Sequence, residues 1–170
     1  MILHAAAFDE LSPATLYALL RLRVQVFVVE QHCPYQDLDG RDTEPGTRHV
    51  WLAAEDGTED SAEDGTEDGA PSAYLRILDE PDGTARIGRV CVAPAARGAG
   101  LAGRLMRATL DLLGTRPSVL DAQTYLADFY RALGYLPTGP EFVEDGIPHV
   151  PMARGAGYGS PATSSANDRR

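Results

Sequence analysis

The stretch that decides the fold runs from residue 92 to residue 106 and has the sequence VAPAARGAGLAGRLM. An apolar, strand-like run ends at Val92 and a helical pattern begins after Gly100, so a glycine-rich loop joins a strand to a helix. Such a loop presents free backbone N–H groups at the positive end of the helix dipole, which favours a phosphate. Arg97 adds a guanidinium that can donate two parallel hydrogen bonds to a phosphate. The stretch therefore predicts a site for a phosphate-bearing ligand.

Two ligand classes fit this loop poorly. The P-loop of nucleoside triphosphatases needs a lysine after its last glycine, and all 15 basic residues of this chain are arginine. Residues 98–103 match the dinucleotide pattern G-x-G-x-x-G, and Asp121 follows at nearly the spacing of the ribose-binding acid. However, residues 94–97 separate the strand from the first glycine, and only 49 residues follow Asp121. That length is too short for the second half of a doubly wound sheet.

The third ligand class is coenzyme A. The order V-x-P-x-x-R-G-x-G-L-A in residues 92–102 resembles the acyl-CoA-binding motif of the GNAT superfamily of N-acyltransferases, Q/R-x-x-G-x-G/A, through Arg97, Gly100 and Ala102. Residues 123–135 resemble the family's later N-x-x-A-x-x-F-Y-x-x-x-G-F helix, with Gln123 in place of Asn and Leu126 in place of Ala.

Four further segments narrow the resemblance. The resemblance is to the ElaA subfamily, and the chain is identified as a member on residues 16–23, 26–31, 33–40 and 144–149. The resemblance implies an α+β fold, the GNAT fold, with a mixed, mostly antiparallel sheet of about seven strands, one splayed parallel pair and about four flanking helices. It does not imply which acceptor is used.

The residue pattern places these elements along the chain. Ser12 and Pro13 have the residue types of a helix N-cap and first helical position, and the helical pattern reaches Val29, either as one helix or as two. Gly134 is expected to end a later helix in the left-handed conformation. The expected strands are residues 2–8, 49–55, 72–78, 86–92, 118–122 and two flanking a turn at 144–146; the other helices are 101–113 and 125–133.

The chain of 170 residues predicts one acyltransferase domain, residues 1–154, with an acidic insert at 55–70 and a tail at 155–170. The insert is a tandem eight-residue repeat that holds eight acids and no base, so the net charge of −10 falls to −2 without it. The insert has no apolar residue beyond alanine, and the tail is rich in glycine, serine, alanine and proline, so both are expected to be disordered. A functional acidic tether for a basic partner is the alternative to a tolerated duplication in a hairpin loop.

Composition also limits partners and compartment. No basic cluster predicts nucleic-acid binding, and no apolar run reaches the roughly 20 residues that span a bilayer. With only two cysteines, no signal peptide and no metal-ligand spacing, the chain is expected to be cytoplasmic and free of metal. A small-molecule or peptide amine is the expected partner, and the oligomeric state is left open between a monomer and a homodimer.

The resemblance implies an N-acetyltransferase in which an amine attacks acetyl-CoA, the co-substrate, directly in a ternary complex. The pyrophosphate would lie on the loop, the pantetheine arm along the strand, and a strand N–H would polarise the thioester carbonyl. The residues expected to bind coenzyme A are Val90, Cys91, Val92, Arg97, Gly98, Ala99, Gly100, Leu101, Ala102, Gln123 and Tyr130. A non-catalytic acyl-CoA-binding or interaction module is the alternative, and it would not consume acetyl-CoA when amines are offered.

Tyr130 matches the family's helix tyrosine and is the expected proton donor to the departing thiolate, since a phenol pKa near 10 lies close to a thiol pKa near 8.5. The candidate bases are Glu30 and His149, with Glu144, Asp145 or a water chain as alternatives. Glu30 ends an apolar run, so desolvation is expected to raise its pKa. A covalent route through Cys91 is disfavoured because the family works without one.

Overall fold

The computed structural model describes residues 1–54 and 69–155, which form one mixed sheet packed between helices. Its strands are β1 (Ile2–Ala6), β2 (Arg48–Ala53), β3 (Pro71–Asp79), β4 (Ala85–Val92), β5 (Ser118–Gln123), β6 (Leu136–Pro137), β7 (Phe142–Glu144) and β8 (Ile147–Arg154). Its helices are α1 (Pro13–Arg23), α2 (Leu101–Leu113) and α3 (Ala127–Arg131), and a π-helical segment, Val24–Glu30, continues α1. The expected insert and tail lie almost wholly outside the described residues.

One parallel pair interrupts an otherwise antiparallel sheet. The strand order is β1-β2-β3-β4-β5-β8-β6, and β7 also pairs with β8. Strands β4 and β5 are parallel, but their register covers only Ala85 with Ser118 and Arg86 with Val119. Beyond these two pairs the strands separate, which leaves the second half of β4 without a neighbour on that side. The predicted splayed parallel pair is confirmed.

The first helix begins where its sequence predicts. The Ser12 hydroxyl accepts a hydrogen bond from the Thr15 N–H, and Pro13 occupies the first turn. The helix does not break into two. It widens into the π-helical segment, whose valine-rich sequence crowds the preceding turn and weakens regular α-helical packing. Segments of this kind are frequent at functional sites.

The helices cover both faces of the sheet. Side chains alternate along β2, so Val50 and Leu52 pack with α2 and α3 in one cluster, whereas Trp51 and Ala53 pack with α1 in the other. Helix α2 buries one stripe, formed by Leu101, Leu105, Met106, Thr109 and Leu110. The described part of the chain contains no helix long and apolar enough to cross a membrane.

The observed elements differ from the expected ones at the C-terminal end. The sheet has eight strands in the described residues because Leu136–Pro137 adds a two-residue strand that carries too little pattern to be detected. The expected helix at 125–133 is shorter: a 3₁₀ turn at Thr124–Leu126 precedes α3. Gly134 has a φ of 88°, the left-handed conformation expected of it.

Candidate functional site

A cavity of about 870 Å³ lies where β4 and β5 separate. One side is formed by β4, the loop before α2, and α3. The other side is formed by the end of the π-helical segment, the loop that follows it, and the turn between β7 and β8. Because β5 does not cover the second half of β4, a ligand in the cavity can lie along that strand.

A bulge shapes β4 beside the cavity. Tyr74 pairs with Cys91 and Arg76 with Gly88, so two residues of β4 stand opposite one of β3. Arg89, one of the extra residues, has a φ of 54°. A bulge re-aims side chains and interrupts pairing, and here it coincides with the stretch of β4 that β5 does not cover.

The start of α2 offers unpaired donors to the cavity. Gly100 is the N-cap residue, and no side chain caps the helix, so the N–H groups of Leu101, Ala102 and Gly103 have no intrahelical acceptor. Gly98 and Gly100 have φ values of 81° and 71°, and a Cβ at either position would meet no atom within 4 Å. The two glycines therefore permit the left-handed turns and leave the helix start open to an anion.

Most residues expected to bind coenzyme A line this one cavity. They are Val90, Cys91 and Val92 of β4, Arg97, Gly98, Gly100, Leu101 and Ala102 of the loop and helix start, and Gln123 and Tyr130. Ala99 is the exception, being exposed and absent from the lining. The Gln123 amide already has partners: it donates to Gln31 Oε1 at 3.3 Å, and its oxygen accepts from the Tyr125 hydroxyl at 2.6 Å.

Tyr130 is held rigidly from α3. The residue is only 6% exposed, and its ring packs edge-on against Phe129 and Tyr135. Within the described residues its hydroxyl makes no hydrogen bond, although the residue lines the cavity. Burial raises the pKa of Tyr130 above its ordinary value, with the neighbouring Tyr135 and Tyr125 adding to the effect. The expectation of an ordinary phenol pKa was therefore wrong: the hydroxyl stays protonated more firmly than a free phenol.

The expectation of a raised pKa for Glu30 was also wrong. Its carboxylate accepts two hydrogen bonds from Arg97, from Nη1 at 2.6 Å and from Nη2 at 2.7 Å. The hydrogen bonds from Arg97 lower the pKa of Glu30, because the residue is exposed and burial opposes them only weakly. A carboxylate held in this way is a weak base.

His149 lies on β8 at the cavity wall and has a defined tautomer. Its Nδ1 is 2.8 Å from the Ile147 carbonyl oxygen. A carbonyl only accepts hydrogen bonds, so Nδ1 carries the proton and Nε2 of the neutral ring keeps its lone pair. Phe142 stacks on the ring, with the centroids 5.8 Å apart. His149 therefore combines a fixed orientation with a nitrogen that can accept a proton.

The two cysteines are free and buried. Burial raises the pKa of the Cys91 thiol to about 12, so at neutral pH it is a thiol and a poor nucleophile. Cys33 donates a long hydrogen bond to the Asp145 carbonyl at 3.5 Å, which joins the loop after the π-helical segment to the β7–β8 turn.

A buried ion-pair network supports the cavity wall and was not predicted. Three carboxylates of one loop, Asp37, Asp39 and Asp42, bind arginines from three other elements. The pairs are Arg23 with Asp37 and Asp42, Arg76 with Asp39 and Asp42, and Arg89 with Asp37. The acid-rich spacing is the sequence signal, but nothing local identifies the arginine partners. Residues 1–54 and 69–155 contain no group of three side chains suited to a metal ion.

Comparison with known proteins agrees with this geometry. The family model described as an acetyltransferase (GNAT) domain matches residues 65–155. A UPF0039 protein of Mycobacterium tuberculosis is 46% identical over 148 residues, which cover 85% of this chain and 87% of that protein. Protein ElaA of Escherichia coli K12 is 42% identical over 152 residues, covering 86% of this chain and 91% of that protein.

Solved structures give the same result. The crystal structure of Escherichia coli ElaA covers 91% of this chain and 99% of its own, with a TM-score of 0.78 and 39% identity. An acyl-CoA N-acyltransferase from Pseudomonas aeruginosa covers the same shares, with a TM-score of 0.79 and 37% identity. The chain belongs to the GNAT acetyltransferase family, among the relatives named ElaA and UPF0039.

Proposed function

We propose that this protein is an N-acetyltransferase that transfers the acetyl group of acetyl-CoA to an amine by direct attack in a ternary complex. The observation that carries the proposal is one cavity, at the separation of β4 and β5, lined by the uncapped start of α2, by Tyr130 and by His149. The family membership supports the acyl-CoA donor. The acceptor class and the chemical steps are inferred from the side chains that line this cavity.

The coenzyme would use the α2 side of the cavity. Its pyrophosphate would accept from the N–H groups at the start of α2, where helix dipole and free donors coincide. The pantetheine arm would lie along Val90–Val92, which β5 leaves uncovered, and a β4 N–H would stabilise the oxyanion of the tetrahedral intermediate.

His149 is the proposed base, and Glu30 is not. The Nε2 lone pair of His149 would accept a proton from the acceptor ammonium, and the freed amine nitrogen would then attack the thioester carbonyl carbon. The attacking nitrogen of the tetrahedral intermediate loses its second proton to water, the C–S bond breaks, and the amide and the coenzyme thiolate result. Glu30 is disfavoured because its side chain is 39% exposed, and an exposed carboxylate is a weaker base than a neutral imidazole.

Tyr130 is the proposed donor to that thiolate. The raised pKa of the phenol makes it a weaker acid than expected, but the same surroundings act on the thiolate. A coenzyme thiolate that forms next to Tyr130 would be desolvated as well, and desolvation raises the pKa of a thiol. Proton transfer from the phenol to the thiolate would therefore remain efficient.

The charges around the cavity favour an acceptor that carries no anionic group. Each arginine of the lining is paired with a carboxylate: Arg41, Arg76, Arg86, Arg89 and Arg97. Glu144 and Asp145 also line the cavity, and neither has an ion-pair partner among the described residues. Steering of a cationic amine toward these carboxylates is the expected consequence.

The test is thiol release from acetyl-CoA with simple amines, diamines, polyamines, amino acids and basic peptides as acceptors. Consumption of acetyl-CoA that depends on the acceptor supports the proposal, with diamines and basic peptides expected above amino acids. Binding of coenzyme A without turnover by any amine class would favour a non-catalytic acyl-CoA-binding module.

A further inference from the structure

Two adjacent side chains at the end of the π-helical segment reach across the cavity mouth to residues expected to bind coenzyme A. Glu30 accepts two hydrogen bonds from Arg97, and Gln31 accepts one from Gln123. Glu30 and Gln31 are neighbours in sequence, but their partners lie on different elements, the loop before α2 and the end of β5. We propose that Glu30 occupies the phosphate-binding fork of Arg97 until coenzyme A arrives, and that coenzyme binding displaces it.

The geometry of the pair carries the first step. A carboxylate and a phosphate both bind a guanidinium through two parallel N–H donors. Both terminal nitrogens of Arg97 already donate to Glu30, and its Nε donates to the Val92 carbonyl at 3.3 Å. Glu30 therefore holds the fork that a pyrophosphate oxygen pair would use, and the two anions compete for it.

Because Arg97 and Glu30 are both exposed, replacing the carboxylate by a phosphate costs little free energy. The side chains of Arg97 and Glu30 are 44% and 39% exposed. Ion pairs in such positions contribute little to stability, whereas the pyrophosphate brings more charge and also binds the amides at the start of α2. Coenzyme A is thus the stronger ligand for Arg97.

The exchange has a consequence for the acceptor. Once displaced, the Glu30 carboxylate loses the cation that neutralises it and lies in the same cavity as Tyr35 and His149. The cavity then gains one free negative charge when coenzyme A is bound, which favours a cationic acceptor in the ternary complex. The inference rests on the proposed function, since it requires that coenzyme A bind at Arg97.

The experiment is calorimetric titration of coenzyme A into the wild-type protein, Glu30→Gln, Arg97→Gln and the double variant. Glu30→Gln removes the competing anion and keeps the side-chain size. We expect it to bind coenzyme A about two- to fivefold more tightly, the range that an exposed ion pair supplies. In the Arg97→Gln background the same change is expected to give no gain.

Asp128→Asn is the matched control. It too removes one acidic charge and one exposed pair with an arginine, Arg131, but it lies outside the cavity lining. Weaker or unchanged binding of coenzyme A by Glu30→Gln overturns the inference, because Glu30 would then either orient Arg97 for the ligand or have no effect on its binding. An equal gain in Asp128→Asn, or in the Arg97→Gln background, overturns it as well. Absence of coenzyme A binding to the wild-type protein overturns the proposed function together with it.

Discussion

The Tyr130 hydroxyl is the one group on α3 that the proposed reaction requires. The ring is fixed by Phe129 and Tyr135, so Tyr130→Phe keeps the packing and removes only the oxygen. We expect kcat to fall roughly 10²- to 10⁴-fold, the range of a lost acid–base group, with little change in KM for acetyl-CoA. Steady-state thiol release measures both. Turnover within about threefold of wild type would assign the proton to water or to another residue.

His149 is tested by the pH dependence of its replacement. His149→Gln keeps a polar side chain but cannot accept the ammonium proton, so kcat/KM for the acceptor is expected to fall roughly 10²- to 10⁴-fold at neutral pH. The deficit is expected to shrink as pH rises toward the acceptor pKa, near 10 for an alkylamine, because the amine then arrives already deprotonated. Coenzyme affinity serves as the control and should not change. A deficit that is constant with pH would make His149 a structural residue.

The start of α2 is the element on which the proposed coenzyme binding depends. Gly100→Val places a side chain where the pyrophosphate would approach, so acetyl-CoA is expected to raise the melting temperature of the wild-type protein and not of this variant. Gly83→Val is the matched control. Gly83 has a φ of 85° and equally open surroundings, but it lies outside the cavity lining. Both variants lose about 1–2 kcal/mol to backbone strain, so equal stabilisation of both by acetyl-CoA would place the ligand elsewhere.

Elements governed by local rules were predictable from the sequence. The N-cap at Ser12, the loop that opens α2 and the turn at Gly134 each follow from residue types a few positions apart. The short β6 and the π-helical segment were not, because two residues carry no periodicity and valines disfavour the regular α-helix without specifying a wider turn.

Contacts between distant elements were not predictable either. Glu30 and Arg97 stand 67 positions apart. The local sequence around Glu30 indicates an apolar environment, which would raise its pKa. The fold instead brings the Arg97 guanidinium to the carboxylate, and the pKa of Glu30 is lowered. The motif identified Tyr130, whereas His149 was one of several candidate bases, and the contacts that distinguish it from Glu30 needed the tertiary structure.

At the scale of the whole molecule, the buried ion pairs connect α1 and two strands of the sheet to a loop whose carboxylates belong to neither hydrophobic cluster. Arg23 extends from α1, Arg76 from β3 and Arg89 from β4, and all three meet the carboxylates of one loop. That loop carries Tyr35 and Asp39 into the cavity wall. The network therefore fixes to the sheet the side of the cavity that is proposed for the acceptor, while α2 and β4 form the side proposed for the coenzyme.

Asp42 is the centre of this network, because it accepts from Arg23 Nη1 at 2.6 Å and from Arg76 Nη1 at 3.0 Å. Asp42→Asn keeps the shape of the side chain but leaves two buried guanidinium groups short of one negative charge. Breaking a buried pair in this way costs about 3–5 kcal/mol, whereas Asp128→Asn, in an exposed pair, is expected to cost less than about 1 kcal/mol. Urea denaturation of both variants measures the difference. Equal losses of unfolding free energy would mean that the remaining contacts of Arg23 and Arg76, with Asp37 and Asp39, suffice to hold the loop against the sheet.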